Sequence, residues 1–166
     1  MIKFIKTKQY KQFSEFCTAC SQDKYIGLCY GPAGVGKTES ARHYAKWYQV
    51  TEALDSTSTA PPPFSMKKLH SVLYTPSVLE MPRYIISDIR NIQRKFSFLK
   101  ERSIYGSEIP HHARLENRNF ADLVIIDEAE RLKPQAFELI RELYDKGGTT
   151  FIFIGMPGIE RTLERF

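Results

Sequence analysis

Eight consecutive residues narrow the folds open to this chain more than any other feature. Gly31-Pro32-Ala33-Gly34-Val35-Gly36-Lys37-Thr38 fits G-x-x-x-x-G-K-[ST] in full, and it stands between an apolar run, "YIGLCY", and a stretch of helical character. A loop of this kind turns successive backbone N–H groups inward toward phosphate oxygens, which requires glycines that accept positive φ and add no bulk. The helix that opens at Gly36 aims the positive end of its dipole at the same anion. Lys37 supplies a mobile ammonium to β- and γ-phosphates, and the Thr38 hydroxyl can ligate Mg2+. The contact set expected around the phosphates is Gly31, Pro32, Ala33, Gly34, Val35, Gly36, Lys37, Thr38 and the following Glu39.

The rest of the chain alternates strand and helix around this loop. Thr7 is a candidate N-cap for a helix from about Lys8 to Ser21. The loop helix is expected to run to about Gln49. Residues 51–66 are rich in Ser, Thr and Pro, and Pro61-Pro62-Pro63 exclude a helix there. "SVLYT" reads as a second strand. Ile85, Ile89, Ile92, Phe96 and Leu99 then alternate four-and-three spacing over a helix from about Pro82 to Leu99, with Arg83, Arg90, Arg94 and Lys95 on its other side. Residues 101–119 show no period. "LVII" is a third strand, Ala136 to Tyr144 a helix ended by Gly147 and Gly148, and "TTFIFI" a fourth strand. A glycine-proline turn and a short amphipathic helix follow it. Strands three and four are apolar on both faces, which argues for a parallel sheet covered by helices on each side. The expected fold class is α/β, in a single domain over residues 1–166.

The third strand ends in Asp127-Glu128. Ligands of open parallel sheets bind at the carboxyl ends of the strands. Asp127 sits at such a tip and can hold Mg2+ through its water shell. Glu128 beside it can orient and deprotonate a water that attacks a γ-phosphate. The catalytic pair expected on this reading is Glu128 and Lys37, with Thr38 and Asp127 at the metal.

Composition excludes other classes. No apolar run approaches the roughly 18 residues of a membrane span. The start, "MIKFIKTKQYKQF", has no apolar core or small-residue cleavage site of a signal peptide, so a cytoplasmic address is expected. The three cysteines form no disulfide framework. Cys17 and Cys20 make a C-x-x-C pair, yet they share an apolar helical stripe with Tyr10 and Phe13, which makes them structural. His111 and His112 are adjacent and chelate poorly. The net charge of +5 is lopsided, with 18 basic and 10 acidic residues through position 118 and 6 and 9 after it. A one-sided excess of this kind permits nucleic-acid binding.

"YIGLCYGPAGVGKTESARHYAKW", "LVIIDEAERLKPQAFELIRELYDKG" and "FIFIGMPG" together resemble the ATP-binding transposition proteins of the TniB and TnsC type, in the AAA+ class. The resemblance runs from about Tyr10 to Phe166. It implies a P-loop NTPase sheet and an ATPase using ATP and Mg2+. Such a protein assembles as a ring or filament on double-stranded DNA, marks a target and recruits a transposase. By position, the loop residues bind ATP, Thr38 and Asp127 take Mg2+, and Glu128 is the base. The region between the second and third strands follows the DNA backbone in that family. Here it carries Arg90, Arg94, Lys95, Lys100, Arg102, Arg114 and Arg118, whose charge suits phosphate contacts.

Two departures from the family stand out. The tip of the fourth strand, Ile154-Gly155-Met156-Pro157, offers no polar side chain near the γ-phosphate. The family continues into an arginine finger, a fifth strand and a helical lid, so the chain is expected to be truncated, slow in turnover and to leave its first strand as an edge. Arg161 and Arg165 are expected on a helix surface. Competing readings are a helicase loader, a small-molecule kinase, and a module that binds nucleotide with little turnover.

Overall fold

A computed structural model describes residues 4–56, 60–78, 81–106 and 119–164. Its elements, in chain order, are α1 (Lys8–Asp23), β1 (Gly27–Tyr30), α2 (Lys37–Tyr44), α3 (Trp47–Asp55), β2 (Ser71–Tyr74), α4 (Pro82–Tyr105), β3 (Leu123–Ile126), a 3-10 turn (Ala129–Arg131), α5 (Pro134–Asp145), β4 (Thr150–Gly155) and α6 (Ile159–Leu163). The four strands form one parallel sheet in the order β1-β4-β3-β2. The α/β fold expected from the alternating pattern is the one observed.

Strand alternation divides the core in two. Leu73, Leu123, Ile125, Ile152 and Ile154 face Phe13, Cys17 and Cys20 of α1 and Ala41 of α2. Val72, Tyr74, Val124, Ile126, Phe151 and Phe153 face Ile85, Ile89, Phe96 and Leu99 of α4, Phe137 and Ile140 of α5, and Ile159 of α6. Each apolar face is thereby removed from water, the main favourable contribution to folding. Cys17 and Cys20 are both buried, and burial pushes their thiols up from the ordinary cysteine value. They belong to the core, as their spacing indicates. Gly27 opens β1 where α1 lies closest: a Cβ there would stand 2.7 Å from Phe16 Cζ and 2.9 Å from Cys20 Sγ.

Several boundaries differ from those expected. Thr7 caps α1, its hydroxyl accepting from the Tyr10 N–H at 3.1 Å, but β1 begins only at Gly27, because Lys24 in a left-handed turn (φ 58°) leaves Tyr25 and Ile26 exposed. The loop helix does not run unbroken to Gln49. Lys46 takes φ 48°, separating α2 from α3 and letting Val50 bury in the second cluster. The prolines act later than expected, so Thr51–Asp55 are helical. Helix α4 continues past Leu99 to Tyr105, where Gly106 ends it with φ 74°. His111, His112, Arg114, Arg118 and Arg165 lie outside the described residues.

The amino ends of the strands are tied by a polar cluster. Asp122, just before β3, accepts from Lys24 Nζ at 3.1 Å and from His70 Nδ1 at 2.9 Å, while the Tyr144 hydroxyl donates to the Lys24 carbonyl at 2.5 Å. Burial alone would raise the Asp122 carboxyl; the bonds from His70 and Lys24 outweigh it and hold the group below its ordinary value. A depressed carboxyl contributes stability above its unfolded value of about 3.9 and loses it as pH falls through the folded value. Asp122→Asn should lower the melting midpoint by about 2–4 °C at pH 7, as expected for partly exposed ion pairs in a chain this size. The deficit should shrink below about pH 4. Thermal melts of both proteins across pH check this.

Candidate functional site

Between β1 and α2 the chain makes a loop whose shape rests on two glycines, Gly34 at φ 80° and Gly36 at φ 86°. Gly36 is also the N-cap of α2 and gives that helix start no side-chain cap. The first amides of α2 thus lack an internal side-chain acceptor and project at the loop, with the helix dipole behind them. The Gly31 N–H donates to the Gly155 carbonyl at 3.4 Å, tying the loop to the tip of β4. The Lys37 ammonium reaches back across the loop and donates to the carbonyls of Gly31 at 2.6 Å and Pro32 at 2.8 Å. Pro32, Ala33 and Val35 are exposed on the loop, and Thr38 is half-buried on the first turn of α2.

Glu39 goes elsewhere. Its carboxylate accepts from Arg42 Nη1 and from the Tyr48 hydroxyl, each at 2.9 Å, on the outer side of α2. That arrangement engages its side chain away from the loop and leaves its backbone N–H, in the first turn of α2, as the group for the expected phosphate contact.

The tip of β3 supplies the acidic half. Asp127 is buried, its N–H donates to the Tyr74 carbonyl at 2.8 Å, and its Oδ1 accepts from the Glu128 N–H at 3.0 Å. Ile126, just before Asp127, pairs with Phe153 of β4, which pairs with Leu28 of β1, and the next residue of β1 carries the Cys29 thiol. Burial raises it from its ordinary value, the Lys37 charge opposes that rise, and the Asp127 carboxylate reinforces it. Cys29 and Lys37 line one cavity beside the carboxyl end of β1. Glu128 adopts φ 51°, unusual for a residue with a side chain, and its carboxylate is ion-paired with Arg131. Arg131 also donates to the Pro76 carbonyl at 3.2 Å.

Beside the loop lies a cavity of about 450 Å3, lined by Gln9, Gln12, Phe13 and Phe16 of α1, by Leu28, Cys29 and Tyr30, and by Val35, Lys37 and Ser40. Its volume falls in the range of small-ligand and cofactor pockets, and its apolar lining carries a few polar groups, the usual composition of such sites. The oxygen donors Thr38 and Asp127 suit a hard cation. Among the described residues no group of three His, Cys, Asp or Glu side chains assembles a metal cage. Mg2+ is normally held by one or two protein oxygens together with phosphates and water. The residues present thus fit both a triphosphate and its magnesium.

A glycine-rich loop at the first strand tip, an acidic pair at the third and a parallel sheet ordered β1-β4-β3-β2 define a P-loop nucleotide-binding domain. Residues 20–163 match the family described as AAA domain, and the chain belongs to that family of ATP-binding domains. It is similar to a Staphylococcus aureus protein named "Potential ATP-binding protein", with 37% identity over 175 residues. That match covers 98% of this chain and 62% of the relative, so the chain spans less than two thirds of that relative's length. No helix among the described residues is long and apolar enough to cross a membrane.

The cations expected along the DNA separate into groups. Arg90, Arg94 and Lys95 are exposed on α4. Lys100 is not: it is buried, donates to the Leu69 carbonyl at 2.5 Å and sits 5.3 Å from the Phe120 ring centre, and burial lowers its amine from the ordinary value. It anchors α4 to the segment before β2 and cannot reach a phosphate backbone. Arg102 is half-buried, donates to the Ala60 carbonyl and packs over Phe98. Arg161 is exposed on α6, as expected for a helix-surface residue. Sequence reasoning missed Arg131, although its position three residues after Glu128 is the spacing at which opposite charges meet on a helical turn. It also missed Gln9 and Gln12, which a sequence shows only as the polar face of a helix.

Gly36→Ala tests the loop. Nothing lies within 4 Å of the added methyl, so the cost comes from the left-handed backbone, about 1–2 kcal/mol. A modest loss of melting temperature should accompany a fall of about tenfold or more in ATP affinity, read by fluorescent-nucleotide titration.

Proposed function

We propose that this chain is the nucleotide-driven part of an ATPase that assembles on double-stranded DNA and regulates transposition by recruiting a transposase to its target. The observation that carries the nucleotide half is the loop between β1 and α2, turned by Gly34 and Gly36 in the left-handed region with Lys37 folded across it, at the same end of the sheet as Asp127 on the tip of β3. The exposed basic row on α4 and the sequence resemblance support the DNA half.

Each residue has a task in this reading. The loop amides and the start of α2 bind the triphosphate, and Lys37 exchanges two neutral carbonyls for phosphate oxygens. The cavity beside α1 receives the nucleoside, with Phe13 and Phe16 offering apolar surface and Gln9 and Gln12 offering amide groups. Thr38 and Asp127 hold Mg2+, which when bound neutralises charge on the phosphate oxygens. Glu128 orients a water and accepts its proton. Arg90, Arg94 and Lys95 contact DNA phosphates without reading sequence. Self-association into a ring or filament would place these rows side by side along the duplex. The module that binds nucleotide with little turnover is the second reading, favoured by one observation: the carboxylate of Glu128 is engaged by Arg131.

Lys37→Ala should abolish tight ATP binding, whereas Glu128→Gln should keep binding and lose turnover, read by nucleotide titration and phosphate release. A glutamine variant that hydrolyses at the parent rate would remove Glu128 from the base role. On DNA, gel shifts should strengthen with ATP. Replacing Arg90, Arg94 and Lys95 by Ala should flatten the dependence of log affinity on log salt by about 2 to 3. Binding indifferent to both nucleotide and these substitutions would refute the DNA half.

A further inference from the structure

We infer that Arg131 is a positioning residue that parks Glu128 on the β2 side of the sheet, away from the phosphate loop, so that turnover requires this latch to open. The inference rests on the ATPase reading above and concerns what restrains its base. Arg131 Nη1 does two things: it pairs with Glu128 Oε2, and it donates to the carbonyl of Pro76, two residues beyond β2, at 3.2 Å. The sheet order gives these contacts a direction. From β3, strand β2 lies on one side, while β4 and then β1 lie on the other. Strands are spaced about 4.8 Å apart, so the loop that follows β1 begins about 10 Å away on the side opposite Pro76.

The backbone around the pair is fixed. Glu128 sits in the left-handed region, its N–H donates to Asp127 Oδ1 at 3.0 Å, and the Arg131 N–H donates to the Glu128 carbonyl at 3.0 Å. Releasing the carboxylate is therefore a side-chain movement, with the turn left in place. The two side chains are 41% and 35% exposed. An exposed pair of this kind biases an equilibrium by no more than about five-fold. That is weak enough for a partner contact to reverse.

The test uses the whole chain as parent, R131Q, R131K, E128Q and the E128Q/R131Q double variant, with two readouts. In melts without nucleotide, E128Q and R131Q should each lower the midpoint by about 1–3 °C. The double variant should lose no more than the larger single; additive losses overturn the pairing. In steady-state hydrolysis, R131Q should raise kcat about two- to five-fold with KM unchanged, R131K should stay near the parent, and R131Q should have no effect in the E128Q background. A kcat for R131Q at or below the parent, with nucleotide affinity intact, overturns the latch. A parent that takes up no nucleotide overturns the ATPase reading and with it the turnover half of this inference. The melting cycle decides the ion pair by itself.

Discussion

The first turn of α2 is the constraint on which the site depends. A helix that starts on glycine, without a side-chain cap, presents amide donors that the chain itself does not satisfy. Such groups are tolerated where water or an anion can reach them, and costly where neither can. The loop keeps them accessible by being built of small, exposed residues and by turning through two glycines in the left-handed region. Lys37, first residue of the helix, adds a full positive charge to the partial one at the helix end. The combination suits a polyanion far better than a neutral ligand.

The acidic half of the site makes sense only in relation to that positive half. A buried carboxylate is expensive unless it is hydrogen-bonded or faces a cation. Asp127 has one backbone donor, from Glu128, and stands at the tip of β3, with only β4 between that strand and the one that leads into the Lys37 loop. The parallel sheet enforces this placement. It places β1 and β3 on either side of β4, with β1 ending opposite Gly155 and β3 opposite Phe153, so a loop leaving one and a turn leaving the other flank the tip of the same strand. Cluster packing on both faces keeps that register, since sliding β3 by one residue would exchange its two apolar faces.

Much of this was legible in the sequence because it depended on local chemistry. Gly34, Gly36 and Lys37 have few other reasons to occur at that spacing between a strand and a helix, and "LVII" followed by Asp127 can be little else than a buried strand with a carboxylate at its tip. What escaped was set by tertiary partners. Lys100 looks like any other cation on α4 until the fold brings the Leu69 carbonyl and the Phe120 ring to it. Glu39 follows the loop in sequence, but helix rotation turns it toward Arg42 and Tyr48. The break at Lys46 answers to the burial of Val50 and Trp47, which no local propensity encodes. Arg131 acquires its meaning only from Pro76, fifty-five positions earlier.

The central claim is that this chain grips the phosphates of a nucleotide, with the nucleoside contributing less. Titration calorimetry of the folded protein with Mg-ATP, Mg-ADP, AMP and adenosine measures it directly. The account predicts saturable binding of the tri- and diphosphates, weakened when magnesium is chelated, and at least tenfold weaker binding of AMP and adenosine. Equal affinity for adenosine and ATP, or no uptake of Mg-ATP at millimolar concentration, would contradict it.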